Sequence, residues 1–260
     1  MLKDKRYFLF DIDGTLAVDE TLYDGTKELL DYIEEIGGKS FYITNNSVKS
    51  RKDYIEKFAR WGIRAEASQF MTASYATCEY LKAHYAGKKL FVLGTPSFRK
   101  EVEECGLFVT EQVEPDVACV VAGFDRTLHY GKIETACELL LRTEVDYIGT
   151  NPDYRCPTAF GFVPDCGGIC EMLKVTVDRT PYYVGKPNPD CTEVYGTGEC
   201  QAGRSAGSRR PFVYGYCLWH QCRSADGTRL YRGSKAGRLK RDRIYAGLCI
   251  RRYSYTVAGI

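Results

Sequence analysis

The stretch Tyr7-Phe8-Leu9-Phe10-Asp11-Ile12-Asp13-Gly14-Thr15-Leu16 decides the fold. Four apolar or aromatic residues run into two acids, a glycine and a hydroxyl. Such a run reads as a buried strand of a parallel sheet, with Asp11 at its carboxyl end. In an open α/β sheet that end is where ligands bind. Residues i and i+2 of an extended segment point the same way, so Asp11 and Asp13 face one site. Two carboxylates that close repel unless a proton or a cation lies between them. The arrangement points to Mg2+, a hard ion that prefers oxygen donors. A calcium loop is excluded, because its sixth position needs glycine and here holds Leu16. Taken alone, the acids and glycine are also compatible with a plain turn.

Working outward, residues 26–36 (TKELLDYIEEI) carry apolar side chains at helical spacing and stop at Gly37-Gly38. Residues 40–43 (SFYI) read as a second strand, ending in Thr44-Asn45-Asn46-Ser47. Residues 50–61 (SRKDYIEKFARW) form an amphipathic pattern closed by Gly62, and 72–85 read as a third helix. Strand–helix–strand–helix is the signature of a parallel sheet with helical crossovers. The pattern then restarts. Strands are expected at 89–94, 116–123 and 146–150, and helices at 97–105 and 130–143. Residues 79–180 therefore read as a second α/β unit inserted into the first. The chain is expected to return at Tyr182-Tyr183-Val184-Gly185-Lys186-Pro187. This divides the sequence into 1–78, the inserted 79–180, a return segment 181–200, and a tail 201–260.

Three strand ends thus carry polar groups: Asp11 with Asp13, Thr44 with Asn45, and Lys186. If they converge they make a phosphate site. A carboxylate can attack phosphorus and form an aspartyl-phosphate. A second acid can protonate the leaving oxygen and later deprotonate water. A hydroxyl, backbone amides, a lysine and a metal ion can offset the phosphoryl charge.

Asp11-Ile12-Asp13-Gly14-Thr15-Leu16, Ile43-Thr44-Asn45-Asn46-Ser47 and Val184-Gly185-Lys186-Pro187-Asn188-Pro189 resemble the first three motifs of the haloacid dehalogenase superfamily. The chain is similar, over about residues 1–190, to its NagD-like, p-nitrophenyl-phosphatase branch, whose α/β cap lies between the second and third motifs. Gly94-Thr95-Pro96, Gly123-Phe124-Asp125-Arg126-Thr127-Leu128 and Thr150-Asn151-Pro152-Asp153 resemble the cap of that branch. The resemblance implies a Rossmann-like core with a parallel sheet and an inserted α/β (C2-type) cap. It implies a Mg2+-dependent phosphatase acting on a small phosphorylated metabolite. Asp11 would be nucleophile and metal ligand. Asp13 would be general acid/base, with its backbone carbonyl on the metal. Gly14, Thr44, Asn45 and Asn46 would bind phosphate, and Lys186 would steady nucleophile and phosphoryl group. Asn151, Asp153 and Asp165, the last in a turn Pro164-Asp165-Cys166-Gly167-Gly168, would close over the substrate. A phosphotransferase or mutase is the competing enzyme on this scaffold, and an inactive relative the competing non-enzyme. A homodimer through the cap is carried as a further expectation.

The apolar fraction of 44% supports a sizeable core, and no apolar run reaches the roughly 18 residues of a membrane span. The amino-terminal residues Met1-Leu2-Lys3-Asp4-Lys5 lack a signal-peptide apolar region, which favours the cytoplasm. In that compartment the twelve scattered cysteines are expected to be free.

The net charge of +2 hides an asymmetry. From Gln201 onward there are 13 Lys and Arg against Asp226 and Asp242, leaving 23 basic and 32 acidic residues before it. The fourth motif of the family, an apolar strand running into GDRxxTDI, is not found there. Arg241-Asp242-Arg243 imitates it only locally. Residues 209–223 (RRPFVYGYCLWHQCR), back-translated and read one nucleotide later, can give GDRLYTDIACGINAG; residues 201–208 can likewise give KPEEALVV, the expected strand. The tail therefore reads as the product of a frameshift starting between 190 and 201. It is expected to be non-native, to pack poorly and to leave the metal site incomplete. Nucleic-acid binding by this basic tail, or zinc binding by Cys217, His220 and Cys222, are weaker readings of it.

Overall fold

The computed structural model describes residues 6–188 and the backbone of Val213–Gly215. The frameshift, Asp242, the zinc reading and the basic tail apart from Val213–Gly215 fall outside the described residues.

A first parallel sheet contains β1 (Tyr7–Phe10), β4 (Lys39–Thr44), β5 (Phe70–Thr72) and β13 (Val213–Gly215), in the order β13-β1-β4-β5. The sequence reading left no strand in the tail. Yet Phe8, Leu9 and Phe10 pair in parallel with Val213, Tyr214 and Gly215. Backbone pairing requires only an extended segment, whatever its side chains. Strands lie on both sides of β1, so its carboxyl end is the crevice where such sheets bind ligands.

Alternation along the strands builds two faces. Phe8, Phe10, Tyr42 and Phe70 pack with Leu30 and Ile33 of α1 (Thr26–Glu35) and with Tyr54 and Phe58 of α2 (Arg51–Arg60). Ile43 and Met71, with Leu9 at the edge, face α3 (Ala73–Tyr85) instead. Between β1 and α1 a small hairpin, β2 (Ala17–Val18) with β3 (Thr21–Leu22), projects from the sheet.

The second unit is a five-stranded parallel sheet. Its strands are β6 (Lys89–Leu93), β7 (Phe108–Thr110), β8 (Val117–Ala122), β9 (Asp146–Gly149) and β12 (Tyr182–Tyr183), in the order β12-β9-β8-β6-β7. Leu90, Val92, Cys119, Val121 and Ile148 face α3 and α4 (Pro96–Glu104). Phe91, Leu93, Val120, Ala122 and Tyr147 face α5 (Tyr130–Leu140) and α6 (Cys166–Val177). A hairpin of β10 (Arg155–Thr158) and β11 (Gly161–Pro164) precedes α6.

Three boundaries differ from the sequence reading. The division at 78–79 falls inside α3, because that helix buries Ala76, Cys78 and Leu81 in one cluster shared by both sheets. Tyr182–Tyr183 still pair with Ile148 and Gly149 of the second sheet, and the chain crosses to the first only after them. The segment 164–168 is no turn: Asp165 caps α6, and Gly167 and Gly168 lie in its first turn. A Cβ on Gly167 would collide with the Pro152 carbonyl, and one on Gly168 would stand 2.7 Å from the Tyr154 carbonyl. These glycines let the helix start approach a neighbouring backbone.

Candidate active site

Asp11 follows β1 directly, and its carboxylate is held by two groups. Lys186 Nζ donates to Oδ1 at 2.8 Å across 175 residues of sequence, and Thr15 Oγ1 donates to Oδ2 at 3.2 Å. Burial pushes the Asp11 carboxyl above its ordinary pKa; Lys186 opposes this and Asp13 adds to it.

Gly14 makes the turn after Asp13 with φ of 89°, a conformation that favours glycine. Its N–H donates to the Ala17 carbonyl at 2.8 Å. Gly14 thus shapes the loop, and its amide is already engaged rather than free for phosphate.

Asp13 has a different set of partners. Its Oδ2 accepts from Asn46 Nδ2 at 3.1 Å, and from Thr44 Oγ1 and Tyr54 Oη at 3.4 Å each. Its Oδ1 lies 3.9 Å from Lys57 Nζ. Thr44 ends β4, and its hydroxyl also accepts from the Asn46 amide at 3.1 Å. The loop then enters α2 through a capping box of Ser50 and Asp53, which fixes where α2 starts and hence where Tyr54 and Lys57 stand.

Asn45 joins three distant segments. Its Oδ1 accepts from the Lys186 backbone N–H at 2.9 Å. Its Nδ2 donates to the Lys186 carbonyl at 3.0 Å and to Asp153 Oδ2 at 2.9 Å. Its side chain therefore positions Lys186. Gly185 makes this possible, since a Cβ there would stand 2.5 Å from the Thr150 carbonyl and 2.9 Å from Asn45 Oδ1.

The inserted unit forms the roof. Asn151 donates to the Asn45 carbonyl at 2.7 Å and to Asp165 Oδ1 at 3.4 Å, and accepts from the Asp153 amide at 3.0 Å. Ser47 links to Thr150 at 2.9 Å and accepts from the Phe124 amide at 2.8 Å. Asn151 is fully buried and Asp165 nearly so, whereas Asp153 is partly exposed. Of the three expected roof residues only Asp153 is open to solvent; the other two support it. Burial, helped by Asp153 and Asp13, pushes the Asp165 carboxyl up to about 7, against the pull of the Cys166 amide and Asn151. A cleft of about 550 Å³ opens along Pro152, Asp153, Tyr154 and Arg155.

Comparison with known proteins identifies the family. A family model described as haloacid dehalogenase-like hydrolase matches residues 8–108. An acid sugar phosphatase of Staphylococcus aureus (strain MRSA252) is 31% identical over 188 residues, spanning 72% of this chain and 71% of that protein. The chain belongs to the haloacid dehalogenase-like hydrolases. A 4-nitrophenylphosphatase from Thermotoga maritima superposes with a TM-score of 0.70 at 32% identity, over 78% of this chain and 76% of that one. NagD from E. coli K-12 superposes with a TM-score of 0.62 at 29% identity, over 74% and 73%. The chain is a phosphatase-type member on the NagD-like branch of that family.

In this haloacid dehalogenase-like hydrolase the sequence reading missed Thr15, Tyr54 and Lys57. Tyr54, Lys57 and Phe58 are the buried residues of α2, at i, i+3 and i+4. A lysine within an apolar helical stripe was the available signal. Among the described residues no helix is long and apolar enough to cross a membrane.

Proposed function

We propose that this chain hydrolyses phosphomonoesters of a small metabolite through an aspartyl-phosphate, with Mg2+ as cofactor. One observation carries the reading. Two acids a residue apart have separate partners, Lys186 on Asp11 and the Thr44–Asn46–Tyr54 group on Asp13. Adjacent carboxylates in different surroundings can take different roles.

Lys186 favours the ionised form of Asp11, which makes it the nucleophile. An Asp11 oxygen attacks phosphorus, and the bond from phosphorus to the ester oxygen breaks. Its electron pair stays on the leaving oxygen, which takes a proton from Asp13. Water then attacks the aspartyl-phosphate and gives its proton to Asp13. The bond from phosphorus to Asp11 breaks, freeing phosphate and the carboxylate. Asn46 through its second amide N–H, and Thr44 by turning its single O–H away from Asp13, hold the phosphoryl oxygens, and Lys186 offsets their charge. Asp153, at the solvent-open edge of the roof, helps to choose the leaving group.

The donor chemistry fits Mg2+. Asp11 and the backbone carbonyl of Asp13 are hard oxygen donors, and the burial that disfavours charge on Asp11 is what a cation offsets. Among the described residues no group of three acids, histidines or cysteines completes such a site. When bound, the ion supplies charge neutralisation at the phosphoryl oxygens.

The test is phosphate release from p-nitrophenyl phosphate with and without Mg2+, for the wild type and for Asp11→Asn. Release that needs both Mg2+ and Asp11 supports the reading. No release at any Mg2+ concentration makes the chain an inactive relative.

A further inference from the structure

We propose that Lys57 is the positioning residue of Asp13, a buried counter-ion that fixes the acid's carboxylate for proton transfer; the inference rests on the phosphatase reading above. Lys57 leaves α2 on its apolar face, between Tyr54 and Phe58. A lysine on such a face usually runs its stem along the surface and puts its ammonium in water. Lys57 does not, since its side chain is 3% exposed. Its Nζ lies 4.9 Å from the centre of the Trp61 ring and 5.8 Å from that of Tyr54, both within cation–π range. A buried ammonium needs a counter-charge. Among the described residues, the carboxylate within 4 Å of it is Asp13.

The geometry separates the roles of the two Asp13 oxygens. Oδ2 accepts from Thr44, Asn46 and Tyr54. Oδ1 faces Lys57 at 3.9 Å, beyond hydrogen-bond length. The ammonium therefore acts on Oδ1 as a fixed charge and leaves it a lone pair for the proton in transit. Substrate reaches Asp13, whose side chain is 19% exposed, but does not reach Lys57. That makes Lys57 a residue acting through Asp13 rather than a catalytic one.

The variant Lys57→Met keeps the length and apolar stem and removes the charge. Two esters separate a positioning role from a structural one. p-Nitrophenolate leaves with little help from a proton, whereas the alkoxide of glycerol phosphate needs one. Loss of a well-placed general acid costs about 10²–10⁴-fold; partial misplacement should lower kcat/KM for glycerol phosphate by about 30-fold and for p-nitrophenyl phosphate by under about 3-fold. kcat/KM covers the steps up to departure of the leaving group, so hydrolysis of the aspartyl-phosphate does not blur the comparison. Equal losses on both esters overturn the proposal. A second measurement does not need turnover. In urea unfolding of Asp13→Asn, Lys57→Met and the double variant, the double should differ at least about 10-fold in unfolding constant from the product of the singles. Additive effects overturn the pairing. If the wild type hydrolyses neither ester, the phosphatase reading fails, while this cycle still decides whether Lys57 is the partner of Asp13.

Discussion

The floor of the site and its roof both hold acids, and they give them different partners. On the floor each carboxylate faces a lysine: Asp11 with Lys186 at 2.8 Å and Asp13 with Lys57 at 3.9 Å. On the roof, Asp153 and Asp165 find amides instead, from Asn45, Asn151 and the Cys166 backbone. Among the described residues neither pairs with a cation. On the floor, Lys186 opposes the rise that burial gives Asp11. The roof keeps its buried acid near neutrality, and the Asp165 carboxyl rises to about 7. Burial alone does not set a carboxylate's role; the nature of its partner does.

The largest effect should come from the floor nucleophile. Asp11→Asn should lower p-nitrophenyl phosphate turnover by about 10⁴-fold or more, as loss of a covalent nucleophile does. Lys186→Met, assayed the same way, should cost about 10²–10³-fold, the usual loss for one charge-stabilising donor. If either variant keeps wild-type turnover, the floor is not the reaction centre.

Gly185→Ala probes the joint between floor and roof. The added methyl meets the Thr150 carbonyl and Asn45, so Lys186 must shift. We expect a loss of about 10–100-fold in turnover, since about 1 Å of misplacement costs up to 10²-fold. Thermal unfolding should also show about 1–3 kcal/mol of overpacking.

Asp165→Asn sharpens the contrast on the roof side. The carboxyl's pKa is raised on folding, so its contribution to stability is full below the ordinary carboxylate pKa of 3.8 and is lost as pH rises through about 7. Asparagine mimics the protonated acid and can still accept from the Cys166 amide. The variant should be more stable than wild type by about 2 kcal/mol at pH 8, with the gap closing toward pH 4. Denaturant unfolding across that window checks it; a gap that widens at low pH contradicts the sign. Outside both regions, Asp31→Asn breaks the exposed Lys27–Asp31 pair, which should cost no more than about 0.5 kcal/mol in the same assay.

Much of the architecture was legible because it is periodic. Helices α1 to α5 and the strands β1, β4, β6, β8 and β9 announce themselves by apolar spacing, whereas the caps Ser50 and Thr95 emerge only in the structure. α6 was hidden by Gly167-Gly168, which locally signal a break but in the fold serve a close approach to Pro152 and Tyr154. β5 and β7 were missed because three-residue strands carry too little pattern, and the β10–β11 hairpin because it buries no apolar run and is broken by Pro157, Gly161 and Pro164. At the site, Asp11, Asp13, Thr44 and Lys186 could be named because each follows an apolar run. Lys57 and Tyr54 looked like members of a helix stripe. Asn151 and Asp165 carried no sign that they would be buried supports.

The sequence by itself determined the acids at the end of the opening strand, the parallel α/β character and the insertion of one unit within another. These follow from local spacing, which each segment carries alone. Only the tertiary structure decided which cation faces which acid, that Asn45 ties Lys186 to Asp153, and that Asp153 rather than Asp165 meets solvent. Those contacts join residues 44 to 175 positions apart. They arise when crossovers bring strand ends and helix faces together, and no local pattern encodes such a meeting.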